Sequence, residues 1–559
     1  MGFGCQMLAC TFVIFTALTF VLFLSWASPS IAAQRPNIVI IVLDDAGYSD
    51  LGVYGSEIET PQIDHLAEEG VLFTQFHVTP TCSSTRASLL TGMDHHRTGF
   101  GTHGGPTDNQ KGKPGYEGSL NENVVTVATV LRSAGYHTMM AGKWHMGHEG
   151  VKSWPYGKGF DDSFALLNGG ASHWDDTPLF PSTPTHYVEN DKPFKQLPAD
   201  YYSTDYFTSK IIEYIDKGDK PFFAFLSFTA PHNPLHAPSD LIEKYKDTYT
   251  DGWDALQLSR LAALKSRGIL SEGVKPQTRP EWISSWASLD SEARQVAARD
   301  MAVYAAMIDR VDQNVGRLVT RLRELNKYDN TLIVVFSDNG PSKTTMTDYL
   351  GLDGAGAEFL DTFNNKLDNR GLPNSNIDIG PGWAYGLSAP FRLMKGYQAQ
   401  GGVASPLIVK PPVGWTRPAS YIRTPVHVMD LMPTFVEIAG AAHPSSESDG
   451  RILSMQGQSI VALAQGADSL VFDQRGFGGE LFGVRSYRLG NWKILKLPPP
   501  YGTDEWQLYN LFDDPGETTD LANEHPARLD ELSNLWQAYK TENGVAEPNK
   551  LSLYTKPPN

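Results

Sequence analysis

Pro36-Asn-Ile-Val-Ile-Ile-Val-Leu43 is a nearly continuous β-branched run, and it ends in the paired acids Asp44-Asp45. Such a run has no polar face, so it predicts a central strand buried on both sides by covering helices. In open α/β sheets, ligands gather beyond the carboxyl ends of the strands, which is where Asp44 and Asp45 fall. Two adjacent carboxylates there repel each other unless a cation neutralises them; the alternative is a pair of solvated loop acids.

The pattern repeats outward from this strand. Pro221-Phe-Phe-Ala-Phe-Leu-Ser-Phe228 is a second buried strand, running into Ala230-Pro-His-Asn-Pro-Leu-His-Ala-Pro238, where prolines stiffen a loop carrying His232 and His236. Either histidine can instead be read as a packed loop residue, His236 more readily than His232. Thr331-Leu-Ile-Val-Val-Phe-Ser337 is a third, ending in Asp338-Asn339-Gly340. Asp44, Asp45, Asp338 and Asn339 together would give a hard cation the all-oxygen surroundings that Ca²⁺ or Mg²⁺ prefers. Residues 136–141 form a strand delivering Gly142-Lys143-Trp144-His145, and alternation in an extended chain would let Lys143 and His145 address one ligand. An incidental surface pairing is the competing reading. Lys395, in Phe391-Arg-Leu-Met-Lys-Gly-Tyr397, is a second candidate cation, or else a solvated surface lysine.

Helical patterns separate the strands. Residues 60–70 have a proline in the first turn and a closing glycine, residues 124–134 close at Gly135, and residues 429–440 are entered at a proline. Met301, Tyr304, Ile308, Val311, Val315, Leu318, Leu322 and Leu325 mark one face of a long amphipathic helix. Residues 240–290 read as a polar insertion with helical patches, and residues 341–390 as a substrate-facing loop or lid. After about residue 465 the pattern becomes short strands with a final helix over residues 526–543. The whole predicts an α/β fold: a large mixed, mostly parallel sheet sandwiched by helices over 34–465, and a smaller C-terminal α+β domain over 466–559 carrying an antiparallel sheet.

Thr79-Pro-Thr-Cys-Ser-Ser-Thr-Arg-Ala-Ser-Leu-Leu-Thr-Gly92 sets a thiol at the mouth of a short helix. Thr81 to Thr85 are cap formers and Gly92 is a stop, so Cys82 meets the positive helix end with Arg86 one turn away, an arrangement that favours an anion. A buried cysteine at an ordinary loop–helix junction is the bland alternative. Residues 7–26 form a long apolar run followed by small residues near Ala32 and Ala33, which predicts a signal peptide over 1–33 and an exported, periplasmic or secreted protein. The run is also long enough for an uncleaved membrane anchor. Of the three cysteines, Cys5 and Cys10 lie in this leader, so Cys82 stands alone in the mature chain, an unusual choice for an exported protein. The 559 residues carry a net charge of -17, which disfavours nucleic acid and anionic membrane surfaces as partners. An anionic substrate needs a local basic pocket. No repeat, heptad run or zinc-type cluster is present.

Taken in order, Asp44-Asp45, Cys82-Ser-Ser-Thr-Arg86 with Leu-Leu-Thr-Gly, Gly-Lys143-Trp-His145, Pro-His232, Asp338-Asn339 and Lys395 resemble the type I sulfatases, of alkaline-phosphatase-like fold. The likeness is strongest to bacterial arylsulfatases, which Gly112-Lys-Pro-Gly-Tyr-Glu-Gly118 and Trp506-Gln-Leu-Tyr-Asn-Leu-Phe-Asp-Asp-Pro-Gly-Glu-Thr also resemble. The resemblance implies that a maturation enzyme oxidises Cys82 to Cα-formylglycine, whose hydrated aldehyde attacks a sulfate ester. It implies one Ca²⁺ per chain, held by Asp44, Asp45, Asp338 and Asn339 beside the group made from Cys82. Arg86 would steady the hydrated aldehyde, Lys143 and Lys395 the sulfate oxygens, His145 the second hydroxyl, and His232 would protonate the leaving group. The substrate implied is a small sulfate ester, aryl in type. One departure stands out: Ser84 occupies the position where the family has proline or alanine, within the segment that the maturation enzyme reads. Two other readings share these residues, a phosphonate monoester or phosphodiester hydrolase on the same scaffold and a non-catalytic binding protein whose Cys82 stays a thiol.

Overall fold

In the computed structural model, the run that precedes the paired acids is the strand Asn37–Leu43 (β1), buried at every residue. The structure describes residues 35–350, 354–415, 421–467, 472, 474–550 and 552, so the leader over 1–33 and the anchor alternative over 7–26 lie outside the described residues. The next strands in chain order are Val71–His77 (β2), His137–Lys143 (β3), Asp162–Leu166 (β4), Tyr187–Glu189 (β5) and Lys192–Pro193 (β6). Phe222–Ser227 (β7), Thr331–Ser337 (β8), Ala404–Lys410 (β9), Tyr421–Ile422 (β10) and Val426–His427 (β11) follow. Among the described residues they form one eleven-stranded sheet in the order β10-β2-β9-β8-β1-β7-β3-β4-β5-β6, with β11 also paired to β2. The central run β8-β1-β7-β3-β4 is parallel throughout, while β9 runs antiparallel to both β8 and β2.

β1 shows why helices must cover both faces. Successive side chains of a strand point to opposite sides. Ile38, Ile40 and Val42 enter a core shared with Ala87, Leu89 and Leu90 of the helix Cys82–Thr91 (α1). Val39, Ile41 and Leu43 enter the other core, with Met301, Tyr304, Ile308 and Val311 of the helix Ser291–Glu324 (α2). Removing one such side chain, as in Ile40→Ala, would cost about 2–5 kcal/mol. α2 begins at Ser291, well before the apolar stripe starts at Met301, because Asp290 caps it by accepting from the Ala293 N–H at 2.8 Å.

A second sheet of four antiparallel strands, Gly476–Leu481 (β12), Val484–Leu489 (β13), Trp492–Lys496 (β14) and Trp506–Asn510 (β15), lies towards the C-terminus. The helix Pro526–Asn543 (α3) closes over it through Leu532 and Trp536 against Ile494 and Leu508. The last of these strands, β15, pairs with β14. The described residues from Arg35 onward cohere as a single compact unit.

Two segments of uncertain role acquire places. Within 240–290, buried Arg260 forms ion pairs with Asp50 and Glu57. Asp50 in turn accepts from Tyr304 Oη and the Gly47 N–H, both at 2.5 Å, so this segment braces the loop that follows the paired acids. Segment 341–390 is partly helical, with Met346–Leu350, Gly354–Leu360 and Gly380–Leu387, pieces too short to declare a period.

Candidate active site

α1 starts where expected. Thr81 is its extended N-cap residue, Cys82 the first helical residue, and Gly92, at φ +66, the left-handed stop. The cap is not a side chain accepting from the helix: the Thr81 and Ser84 hydroxyls pair at 2.8 Å, and Ser84 Oγ also donates to the Thr81 carbonyl. Cys82 is 1% exposed, and burial raises its thiol pKa against the opposing pull of Lys143 and Lys395. An ordinary thiolate nucleophile is therefore disfavoured here.

Around Cys82 the strand ends converge. Asp44 and Asp45 leave β1, with Asp45 at φ +70, and Asp338 and Asn339 leave the adjacent β8. Gly340 must be glycine, since a Cβ there would stand 1.8 Å from the Gly401 carbonyl oxygen. Lys143 Nζ lies 2.5 Å from Asp44 Oδ2, and Lys395 Nζ 2.6 Å from Asp45 Oδ1. Arg86 donates from Nε to Asp338 Oδ2 at 2.9 Å and from Nη1 to the Lys143 carbonyl at 3.0 Å and to Ser227 Oγ. Burial and the neighbouring Asp44 push Asp338 up to about 6, although Arg86 opposes them. For Asp45 burial also pushes up, but Lys395, His232 and Lys143 outweigh it and hold the carboxyl at about 2.

Three buried oxygens in this cluster, Asp44 Oδ1, Asp45 Oδ2 and Asn339 Oδ1, find no hydrogen-bond donor. Each comes from a residue predicted to bind metal. An unsatisfied buried acceptor costs about 1–3 kcal/mol, so three together mark a place for a positive ligand. Asp44, Cys82 and Asp338 also bring one donor atom each within 4.8 Å of one another. The oxygens of Asp44, Asp45, Asp338 and Asn339 are hard donors, which fits Ca²⁺ or Mg²⁺.

The imidazoles reach both Cys82 and the acids. His145 Nδ1 is 3.3 Å from Cys82 Sγ. The expected alternation of Lys143 and His145 does not occur: β3 ends at Lys143 and His145 takes φ +55, so the chain turns and the two side chains reach different partners, Asp44 and Cys82. Gly169 makes room for the ring, as a Cβ there would lie 2.7 Å from it. His232 bonds through Nδ1 to the Asn233 carbonyl at 2.6 Å, which assigns the ring proton to Nδ1 and leaves Nε2, 3.8 Å from Asp45 Oδ2, for proton transfer. Burial, helped by Lys395 and Lys143 and opposed by Asp45, lowers His232 to about 3. His145 is driven well below 6.5, by burial and then by Lys143. His236 bonds to backbone, accepting from the His173 N–H and reaching the Ser375 carbonyl at 2.8 Å.

A cavity of about 450 Å³ opens above these groups. Cys82, His145 and His232 lie in its lining with Leu179, Phe180, Tyr349 and Phe482. His103, Phe482 and the C-terminal Pro548 and Lys550 were not anticipated from the sequence. His103 sits among glycines in Thr102-His103-Gly104-Gly105, and that setting was its sole sequence signal. Tyr349 belongs to the segment expected to face substrate. All the predicted residues, Asp44, Asp45, Cys82, Arg86, Lys143, His145, His232, Asp338, Asn339 and Lys395, are gathered at this one end of the sheet.

Comparison with known proteins agrees with that assembly. The family model described as Sulfatase matches residues 36–441. An uncharacterized sulfatase of Schizosaccharomyces pombe is 38% identical over 530 residues, covering 92% of this chain and 95% of that protein. An arylsulfatase of Klebsiella aerogenes is 35% identical over 436 residues, covering 77% of this chain and 92% of that protein. Among solved structures, Ps i-CgsB in complex with k-i-k-neocarrahexaose superposes with a TM-score of 0.65 at 24% identity, covering 92% and 95% of the two chains, a likeness of fold. The strand-end acids, the motif helix and these matches lead to one conclusion: the chain belongs to the sulfatase family.

Proposed function

We propose that this protein hydrolyses sulfate monoesters of aryl alcohols, using formylglycine made from Cys82 and one Ca²⁺ held by Asp44, Asp45, Asp338 and Asn339. The observation that carries the reading is the convergence on one buried sulfur of three cations, the strand-end acids with their three orphaned oxygens, and the imidazoles of His145 and His232. Membership of the sulfatase family supports sulfate ester hydrolysis; the apolar walls Leu179, Phe180, Tyr349 and Phe482 support an aryl leaving group.

Arg86, Lys143 and Lys395 stand against Asp44, Asp45 and Asp338, three charges against three. A divalent ion tips that balance positive, which suits an anionic ester; bound calcium supplies charge stabilisation and orients the ester. Formylglycine supplies a hydrated aldehyde, a nucleophile that can release sulfate without a second hydrolytic water attack. Lys143 and Lys395 then hold the nonbridging oxygens, where positive groups fixed in place lower the barrier most. His145 holds the proton at the Cys82-derived oxygen. His232, once its Nε2 has taken up a proton, delivers it to the leaving oxygen, and the negative charge of a bound ester favours that protonated ring against burial and the two lysines that lower its basicity.

The same reading assigns residues 1–33 to a signal peptide of an exported chain, residues 466–559 to a C-terminal subdomain, and a maturation enzyme as transient partner. Peptide mass spectrometry across Cys82, coupled to assays on p-nitrophenyl sulfate and bis(p-nitrophenyl) phosphate, tests it. The expected result is an aldehyde at position 82 and higher kcat/KM on the sulfate ester. A persistent thiol in active protein, or preference for the phosphodiester, would overturn it.

A further inference from the structure

The sequence motif accounts for two imidazoles at the reaction centre, but the structure brings a third. His103 Nδ1 is 2.8 Å from Ser83 Oγ, the hydroxyl of the residue that follows Cys82. One ring nitrogen of His103, one of His145 and Cys82 Sγ all lie within 4.8 Å of one another. The two rings meet edge to face, with centroids 5.3 Å apart and planes at 85°. Phe482 closes the outer side of His103, its centroid 6.4 Å away. Both histidines line the cavity that opens onto Cys82. Burial and the nearby Lys395 and Lys143 keep His103 neutral, at about 3, so it meets the site as an uncharged donor and acceptor.

Its anchor gives the position meaning. Because Ser83 is adjacent to Cys82 on α1, the His103 ring is fixed relative to the Cys82 Cβ and to the hydroxyls that formylglycine would carry there. We propose that His103 is a further catalytic residue, acting with His145 on the hydroxyl that does not attack the ester. This rests on the formylglycine reading above. In release, the imidazole pair takes the proton of that hydroxyl while the carbon–oxygen bond to the sulfate breaks. The electron pair of that bond leaves with sulfate, the pair freed from the O–H bond forms the carbonyl, the proton held by the imidazoles passes to solvent, and the next water adds across the carbonyl to restore both hydroxyls. His103 therefore acts after the phenol has left.

His103→Ala and His103→Gln, prepared with their aldehyde content measured by peptide mass spectrometry, test this by rapid-mixing assays on p-nitrophenyl sulfate and phenyl sulfate. The expected result is a burst of one phenol per aldehyde followed by steady turnover slowed about 10²-fold, by the same factor for both esters. A readout independent of turnover is the rate at which an aminooxy probe labels the resting protein. That rate rises in His103→Ala, since loss of a hydrogen bond to the hydrate frees more carbonyl. A slowed burst with a larger loss for phenyl sulfate would place His103 at the leaving oxygen instead and overturn the proposal. Unchanged labelling and unchanged turnover would reduce it to a loop anchor. Wild-type protein that carries the aldehyde yet leaves both esters intact refutes the sulfatase reading itself, whatever the labelling comparison gives.

Discussion

Two buried charged clusters lie at opposite ends of the motif helix α1, and they are built on opposite principles. At its N-terminus the acids Asp44, Asp45 and Asp338 face Arg86, Lys143 and Lys395, yet buried oxygens of Asp44, Asp45 and Asn339 have no donor. Beyond its C-terminus, Asp94 accepts from the His96 N–H and bonds the ring at His96 Nδ1, at 2.9 and 2.8 Å, and accepts from Tyr539 Oη at 2.7 Å. His96 Nε2 reaches Glu480 Oε2 at 3.2 Å, and Glu480 Oε1 accepts from the Gly483 N–H at 2.7 Å. This second cluster uses its carboxylate oxygens up and joins α1 to β12 and α3. Satisfied burial makes a clamp, whereas unsatisfied burial stores a demand that a ligand can meet.

The contrast breaks most sharply under single substitutions. Cys82→Ala would abolish turnover, by at least about 10³-fold, while leaving the thermal midpoint near that of the parent, because its thiol contacts the His145 ring rather than joining two elements through a charged network. Glu480→Ala would do the reverse. It leaves His96 with half its anionic surroundings and costs about 3–5 kcal/mol, read by chemical denaturation, with aryl sulfate turnover per folded molecule retained. Loss of stability in the first variant and loss of chemistry in the second would erase the distinction.

Metal content sharpens it next. Asp45→Ala removes one orphaned oxygen and a charge, so calcium measured by elemental analysis would fall from one per chain to near zero, and chelation of the parent would lower its thermal midpoint. Saturation at a thousand times Kd is worth about 4 kcal/mol of stability, which sets the scale of that drop. Asp94→Ala, at the satisfied cluster, would leave calcium content unchanged.

The clamp has its own signature in pH. For His96 burial lowers the pKa, but Asp94 and then Glu480 outweigh it and raise the folded value from 6.5 to about 9. A raised histidine stabilises the fold fully below the unfolded value and ceases to do so as pH rises through the folded one. Its contribution, up to about 3 kcal/mol, should therefore be lost between about pH 6.5 and 9. Denaturation of His96→Gln at both ends of that window would show the difference removed.

The sequence made one of these clusters far more legible than the other, for a physical reason. Strand ends announce themselves, since an apolar run that stops at Asp44-Asp45 or at Asp338-Asn339 states both the burial and the polar terminus. Gly92 likewise declares where α1 stops. Strand direction is not written in that way: β9 is as apolar as β8 yet antiparallel to it, and nothing in its composition says so. His96 meets Glu480 across 384 positions, and His103 meets Ser83 through a glycine-flanked loop, pairings that no local period encodes. Lys143 and His145 come to one site by a turn rather than by alternation, which presumes an extended chain that the φ of +55 at His145 ends.

The smallest expected effect falls on the one motif position that departs from the family pattern. Ser84 is the third residue of α1, and its hydroxyl pairs with Thr79 Oγ1 at 2.7 Å and with Thr81 Oγ1 at 2.8 Å. Proline is tolerated in a first helical turn, where the backbone N–H groups lack intrahelical partners. Ser84→Pro therefore trades three hydroxyl hydrogen bonds, the donation to the Thr81 carbonyl included, for a stiffer turn, and stability should move by no more than about 1–2 kcal/mol. On the proposed maturation of Cys82, the substitution acts instead on the segment the maturation enzyme would read, so the aldehyde fraction at Cys82 in co-expressed protein should rise while turnover per aldehyde stays constant. A fall in turnover per aldehyde would mean that the Ser84 hydroxyl network positions the nucleophile, and the line drawn between a demanding cluster and a satisfied one would then run through α1 itself.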